Sequence, residues 1–282
     1  MQTSSIKKIL VPLDLSPFAD AATSCACSIA RRHHSQVDGM VVLDIPEIMG
    51  MNTPFNGWLL PDELKAEKQR YDEAKQRIGD ALKHFAATCE PRSVSHLEAE
   101  FQGVPADCIL EAAALHDLVV MGLRTHFRPG TSGDVSDSLE QILLSPSAPI
   151  LAIPNADEDP DKWSRVVVAF DGSPNACRAL KEFTRFAQPY SFEVTILSSS
   201  KDKVHGEAVV KSAAAYLRAH QITQIETVVT DGEIHKVIDD EYIDSSDLVV
   251  AGIHSKKFLK DFFVGSLARK LIDYGHTPLL LN

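Results

Sequence analysis

The sequence of 282 residues has no long hydrophobic run, few cysteines and a shortage of positive charge, and each shortage excludes a class of protein. No apolar segment approaches the ~20 residues that a membrane-spanning helix needs. Five cysteines, an odd number without a paired framework, do not suit a secreted disulfide scaffold, and Cys25 and Cys27 are expected to be packed thiols. The net charge of −11 argues against broad binding to nucleic acid or to an anionic membrane. We therefore predict a cytoplasmic protein without a membrane span.

Recognisable catalytic and metal-binding motifs are also missing. The eleven histidines occur without a His-Glu-x-x-His motif, and the cysteines without a Cys-x-x-Cys pair. The chain has no nucleophile elbow, no Walker lysine after a glycine loop and no Gly-x-Gly-x-x-Gly turn. The spacing predicts no metal site, although a zinc site built from distant histidines stays open. We expect no steady turnover, and at most a weak ATPase.

The chain consists of two similar halves. Its length suits two domains of ordinary size, and 44% hydrophobic with 24% charged residues is the composition of a folded protein. Three segments recur in the same order: 9–17 at 167–174, which aligns Asp14 with Asp171, 118–122 at 248–252, and 148–153 at 277–281. An acidic, proline-bearing stretch separates the two sets. We predict a first domain over residues 1–154, a linker over 155–164 and a second domain over 165–282.

Short apolar strands alternate with amphipathic helices in each half. In the second half we predict helices at residues 175–186, 206–220, 233–243 and 266–274, with strands between them. In the first half, an irregular stretch over residues 46–62 has a length that is usually functional or capping. The alternation predicts a parallel sheet covered by helices on both faces, with ligands at the carboxyl ends of its strands.

The predicted strand at residues 248–251 leads into the features of a phosphate site. The apolar run breaks at Gly252, crosses a basic loop that contains Ser255, and restarts as a helix at Gly265 and Ser266. A helix start offers unpaired backbone N–H groups and the positive end of the helix dipole, and glycine lets an anion approach that backbone. A phosphate group is therefore the predicted ligand of this loop.

The first strand of the second half runs directly into Asp171-Gly172-Ser173-Pro174. Together with the spacing Gly252-x2-Ser255-x9-Gly265-Ser266 and a final Thr-Pro-Leu-Leu-Leu strand, this pattern resembles the universal stress protein family of the tandem two-domain type. The resemblance covers nearly all of the chain. It implies an α/β fold of two tandem five-stranded parallel-sheet sandwiches, Rossmann-related and of the adenine nucleotide alpha-hydrolase-like class. Many members bind ATP between their first and fourth strands.

Residue chemistry and the resemblance together predict that the second half binds ATP or another adenine nucleotide, with or without Mg²⁺. The backbone N–H groups at the helix start would meet the phosphates, and Asp171 would accept hydrogen bonds from the ribose or the adenine edge. Ser255 stands where many relatives have a second glycine, and serine lacks the freedom of glycine at positive φ. The predicted binding residues are Ala169, Phe170, Asp171, Gly252, His254, Ser255, Gly265, Ser266 and Leu267.

The corresponding loop of the first half departs from this pattern. Thr125 occupies the position of the second glycine, and alignment of the halves places Ser136 and Asp137 at the helix start. A carboxylate there would repel a phosphate and more simply satisfies the helix backbone itself. We predict a degenerate phosphate loop, and we prefer a structural loop to an anion nest around Arg124 and its neighbours.

Three functions are compatible with these features. The leading hypothesis is a stress-response protein that binds adenine nucleotide in its second half and acts as a binding or signalling module. The second is a slow ATP hydrolase or nucleotidyl-transferring enzyme on the same scaffold. The third is a carrier of a non-nucleotide ligand beneath residues 46–62, with a vestigial phosphate loop. We expect the two halves to pair through their final strands, whose apolar edges would otherwise invite aggregation, and the whole chain to form a homodimer as well.

Overall fold

The computed structural model describes residues 6–14, 16–43, 61–124, 137–144, 146–154, 158–253 and 266–282. The strands of the first half are β1 (Lys8–Pro12), β2 (Gln36–Leu43), β3 (Ser95–Gln102), β4 (Leu118–Gly122) and β5 (Ile150–Ile153). Its helices are α1 (Pro17–His33), α2 (Pro61–Cys89), α3 (Pro105–Ala113) and α4 (Asp137–Leu144). The strands of the second half are β6 (Arg165–Ala169), β7 (Glu193–Ser199), β8 (Ile225–Thr230), β9 (Leu248–Ala251) and β10 (Leu279–Leu281). Its helices are α5 (Pro174–Phe186), α6 (Lys203–Ala219), α7 (Ile234–Val237) and α8 (Ser266–Tyr274).

Local sequence signals explain where most of these helices begin. The helices α1, α2, α3 and α5 each begin at a proline, whose fixed φ suits the first helical turn and whose missing N–H would have no partner there. Helix α6 begins three residues earlier than predicted. The Asp202 carboxylate accepts a hydrogen bond from the backbone N–H of His205 at 3.1 Å and caps the added turn.

The helix predicted at residues 233–243 is irregular. Only α7 is α-helical; the chain continues as a π-helical stretch over Ile238–Tyr242 and a 3-10 turn over Ile243–Ser245. The buried side chains of Ile238 and Ile243 are five residues apart. A wider turn brings residues at this spacing onto one face, so burial of both isoleucines favours the irregular winding.

All ten strands form one sheet in the order β3-β2-β1-β4-β5-β10-β9-β6-β7-β8. Each half contributes five parallel strands. The two halves meet where β5 and β10 pair antiparallel, with Leu279 opposite Ala152 and Leu281 opposite Ile150. The predicted seam between the final strands is confirmed, and it removes two apolar edges from solvent.

Two hydrophobic clusters cover the two faces of the sheet, because successive strand residues point to opposite sides. Val166 and Val168 of β6 face one cluster with α1, α2, α5 and α6, whereas Val167 and Ala169 face the other with α3, α4, α7 and α8. Each cluster contains residues from both halves. The α/β architecture predicted from the alternation of strands and helices is therefore present.

Side chains from both halves also meet beside the seam. The Nε2 atom of His33, at the end of α1, donates a hydrogen bond to the carbonyl oxygen of Phe186 at the end of α5, over 3.0 Å. The rings of Trp163, Tyr190 and Phe192 surround Phe186 at centroid distances of 5.3 to 6.3 Å. The His33 ring of the first half lies 6.1 and 6.0 Å from the rings of Phe186 and Tyr190, so it packs against this aromatic group and joins the two halves.

Cys25 and Cys27 are packed thiols, as predicted. Cys25 and Cys27 of α1 are fully buried, and the Sγ atom of Cys27 lies 3.5 Å from that of Cys89 at the end of α2. All five cysteines are free. In the described part of the chain, no helix combines the length and the apolar character that crossing a membrane requires.

Candidate functional site

The strands β6 and β9 lie side by side, with Val166 opposite Leu248 and Val168 opposite Val250. From β6 the chain continues to β7 on one side, whereas from β9 it continues to β10 on the other. In an open parallel sheet this change of direction leaves a crevice at the carboxyl ends of the two strands. The residues that follow β6 and β9 therefore border the place where this rule predicts a ligand crevice.

The turn after β6 holds Asp171 in a defined position. One carboxylate oxygen of Asp171 accepts a hydrogen bond from the backbone N–H of Ser173 at 2.8 Å. Gly172 between them has a φ of +71°, which glycine adopts without strain. The Ser173 hydroxyl accepts the backbone N–H of Ala176 at 3.2 Å and caps α5. A half-buried carboxylate thus lies at the start of a capped helix.

Gly252, directly after β9, touches the first turn of α5. A Cβ atom at this position would lie 2.8 Å from the backbone nitrogen of Ala176 and 2.9 Å from the carbonyl carbon of Asn175. Both contacts are with backbone, so no side chain can move to make room. Asn282 holds the strand end in place, because its backbone pairs with the residues on either side of Gly252 over 3.3 and 3.0 Å. The glycine predicted for phosphate access also permits this close packing of strand and helix.

Helix α8 begins at Ser266, where the sequence predicts it. Ser266 is exposed, Leu267 is half-buried and packs on the core, and Ala268 and Leu271 are fully buried. The helix connects β9 to the parallel strand β10, so its exposed first residue lies towards the carboxyl edge of the sheet. Backbone N–H groups at such a start suit an anion.

Ala169 and Phe170 contribute differently from the polar residues. Their side chains are only 7% and 6% exposed and belong to the clusters on opposite faces of the sheet. The backbone N–H of Phe170 donates to the carbonyl oxygen of Leu197 at 2.9 Å. Both side chains therefore belong to the hydrophobic core, one on each face of the sheet. The predicted residues His254, Ser255 and Gly265 lie outside the described residues, as do residues 44–60, which include most of the irregular stretch of the first half.

The equivalent position in the first half is built differently. Asp14 accepts hydrogen bonds from both the backbone N–H and the hydroxyl of Ser16, at 3.1 and 2.5 Å. The Ser16 side chain therefore does not cap α1. Helix α4 begins at Asp137 just as α8 begins at Ser266, which confirms the predicted alignment of the two helix starts.

Two charged clusters with shifted pKa values, around Asp38 and Asp117, lie near the opposite, amino edge of the sheet. Burial raises the pKa of the Asp38 carboxyl, but hydrogen bonds from Gln36, His116 and Lys8 outweigh burial and the pKa is lowered. Burial also raises the pKa of the Asp117 carboxyl. Hydrogen bonds from the backbone N–H groups of Lys7 and Lys8 and from the Arg185 guanidinium outweigh burial, so this pKa is lowered as well. These clusters tie strand ends together. Within the described ranges, no three His, Cys, Asp or Glu side chains are grouped to hold a metal ion.

Two residues of the crevice were not singled out from the sequence. Ser173 has a local signal, because a serine followed by proline is typical of a helix start. Asn175 has no local sequence signal, because its contact with Gly252 depends on how α5 packs against the end of β9.

Comparison with known proteins gives a consistent result. The sequence model described as "Universal stress protein family" matches residues 5–149 and 162–281. Universal stress protein MJ0531 of Methanocaldococcus jannaschii is 28% identical over 151 residues, which cover 52% of this chain and 81% of that protein. A universal stress protein structure from Archaeoglobus fulgidus aligns with 100% of this chain and 98% of its own, at 17% identity and a TM-score of 0.75. Protein PA1789 of Pseudomonas aeruginosa covers 99% of this chain and 93% of its own, at 14% identity and a TM-score of 0.62.

Proposed function

The chain belongs to the universal stress protein family, and from this premise we propose that it is a stress-response protein that binds ATP or another adenine nucleotide beside β6 and β9. In this proposal the second half is the binding half, and the protein acts as a binding or signalling module. The domain limits of 1–154 and 165–282 are part of the same proposal.

The observation that carries this proposal is the convergence of three features at one edge of the sheet. Asp171 follows β6, Gly252 follows β9 and touches the start of α5, and α8 begins at the exposed Ser266. A carboxylate can accept the hydroxyl protons of a ribose, and a helix start can receive phosphate oxygens. A nucleotide has both groups, whereas free phosphate would leave the carboxylate without a ligand donor.

The chemistry of this edge also separates the two halves. In the second half, the helix start offers a serine, whose hydroxyl and backbone N–H are both donors. In the first half, Asp137 occupies the same place, and its negative charge opposes a bound phosphate. We therefore propose one nucleotide per chain.

Equilibrium dialysis with labelled ATP tests this stoichiometry. We expect one ATP per chain, with Asp171→Ala weakening the binding and the matched Asp14→Ala leaving it nearly unchanged. Two ATP per chain, or loss of binding only in Asp14→Ala, would show that the binding half is assigned incorrectly. No binding by the unmodified chain would favour a non-nucleotide ligand.

The helix start is tested separately by calorimetric titration. Gly265→Val is expected to abolish ATP binding in a folded protein, and Ser266→Ala to weaken it roughly tenfold, as for one lost hydrogen bond to a charged group. Unchanged affinity in both variants would remove this site. Time-dependent formation of ADP or of a nucleotidyl product in the same samples would instead identify a slow enzyme.

Two further expectations belong to the proposal. The first is a cytoplasmic location, which the five free thiols support because such thiols persist in a reducing compartment. The second is a homodimer of the whole chain, formed in addition to the pairing of the two halves through β5 and β10.

A further inference from the structure

A groove lies between β8, at the outer edge of the second half, and helix α6. It has a volume of about 440 Å³. Its floor is formed by Val210, Ala214 and Val229, with Thr227 beside them. Along its rim stand Lys203, Lys211, Arg218 and Glu207. The groove is separate from the crevice after β6 and β9, and the proposed nucleotide site leaves it unexplained.

Close packing at one end of α6 shapes this groove. A Cβ atom at Gly206 would lie 2.6 Å from Cγ1 of Val229, so the helix meets the strand closely there. Towards the other end, Ala214 presents a small side chain to the same space. Helix α6 therefore touches β8 at Gly206, and the small side chain of Ala214 leaves an apolar groove between the two elements further along the helix.

The backbone of β8 is available along the groove. Among the described residues β8 pairs with β7 alone. The carbonyl oxygens of Gln224 and Thr230 accept from the backbone N–H groups of Val194 and Ser200 at 2.9 and 2.8 Å. In a parallel ladder, alternate residues of a strand face its partner, so the backbone of Ile225, Thr227 and Val229 is directed to the open edge. This edge can accept another strand.

The strand lacks the features that usually block such pairing. Natural edge strands often carry lysine, proline or a bulge. The sequence of β8, Ile225-Glu226-Thr227-Val228-Val229-Thr230, contains neither lysine nor proline and pairs with β7 without interruption. The other edge strand, β3, exposes two carboxylates, Glu98 and Glu100, whereas β8 exposes one, Glu226.

Charge decides what kind of strand the groove favours. Three cations and one carboxylate surround it, and Glu207 lies 4.0 Å from Lys203. The chain as a whole has a net charge of −11. A locally positive rim on an acidic protein attracts a short acidic segment, whereas the overall charge repels a nucleic acid.

We propose that this groove binds an extended acidic peptide segment of a partner protein as an added strand on β8. The peptide backbone pairs with Thr227 and Val229. Alternate apolar side chains lie over the groove floor at the half-buried Val229, and acidic side chains on the same face of the peptide, beyond the apolar ones, reach Lys211 and Arg218. Strand addition of this kind obtains affinity from the main chain and specificity from the pockets.

Selection of a random nine-residue peptide library on the immobilised full chain tests the proposal. We expect enriched peptides to contain Asp or Glu together with alternating apolar residues. Their affinity, measured by fluorescence anisotropy, should fall about tenfold in Lys211→Glu, as expected when one charge contact becomes repulsive. Lys181→Glu, the same change at an exposed lysine of α5, is the matched control and should have no effect. Thr227→Pro, which removes an edge N–H group, should abolish binding.

Several results would overturn the proposal. These are failure to enrich any peptide, enrichment without acidic residues, and equal affinity in Lys211→Glu and the control. If Thr227→Pro fails to fold, N-methylation of the enriched peptide at alternate residues replaces it, because a methylated backbone cannot pair as a strand. Tight binding of a single-stranded DNA oligonucleotide that Lys211→Glu removes would assign the groove to nucleic acid. Self-association in ultracentrifugation that Lys211→Glu removes would assign it to a second copy of the chain.

Discussion

His33 should make the stability of this protein depend on pH. The side chain is fully buried where the two halves meet, and its Nε2–H donates to the carbonyl oxygen of Phe186. Burial disfavours the charged imidazolium and lowers the pKa of His33 from 6.5 to about 4, although the hydrogen bond to Phe186 opposes this effect. The neutral ring is therefore the form that the folded protein keeps.

The pH dependence of the free energy of unfolding follows from the two pKa values of His33, 6.5 in the unfolded chain and about 4 in the folded protein. Between pH 6.5 and pH 4 the unfolded chain binds a proton at His33 that the folded chain does not, so the free energy of unfolding decreases as the pH falls. Above pH 7, His33 is neutral in both states and does not lower the free energy of unfolding. At pH 4.5 the loss amounts to about 2.5 kcal/mol, a large part of the stability of an ordinary domain.

Urea unfolding at pH 7.5, 6 and 4.5 measures this loss, with His33→Gln as the perturbation. Glutamine keeps an N–H donor for Phe186 but does not titrate. We expect unfolding free energy to fall less on acidification in this variant than in the unmodified chain, by about 2.5 kcal/mol at pH 4.5. His220→Gln, at an exposed histidine, is the control. The reasoning is refuted if His33→Gln and the unmodified chain lose the same stability between pH 7.5 and pH 4.5.

The close packing of strand and helix and the capping of α5 provide two further tests, both by urea unfolding at pH 7.5. Gly252→Ala places a Cβ atom against the backbone of Ala176 and should lower the free energy of unfolding by about 1–3 kcal/mol. The control Gly79→Ala, with open space around it, should instead raise the free energy of unfolding by up to about 1 kcal/mol. Equal effects of the two variants would contradict the observed contact. Ser173→Ala removes the cap of α5 and should lower the free energy of unfolding by about 1 kcal/mol. Ser16→Ala should lower it less, because the Ser16 hydroxyl does not cap α1. A larger loss in Ser16→Ala would show that the two turns do not differ as described.

Local sequence patterns predicted the order of the strands and helices and the residues at which several helices begin. Proline at Pro174 and the start of α8 at Ser266 are local signals, because a helix start depends on the few residues around it. The repeated segments also predicted the pairing of β5 with β10, since two equal halves each end in an apolar strand that needs a partner.

How elements that are distant in the sequence meet could be learned from the folded structure alone. The contact between Gly252 and Asn175, the hydrogen bond between His33 and Phe186, and the open groove beside β8 each depend on which faces of two elements pack together. The sequence predicted Asp14 and Asp171 as equivalents, yet their neighbouring serines form different hydrogen bonds. The π-helical turn after α7 likewise follows from the burial of two isoleucines. The periodicity of the sequence shows which side of a helix or strand is apolar. Which other element covers that side depends on packing across the whole chain.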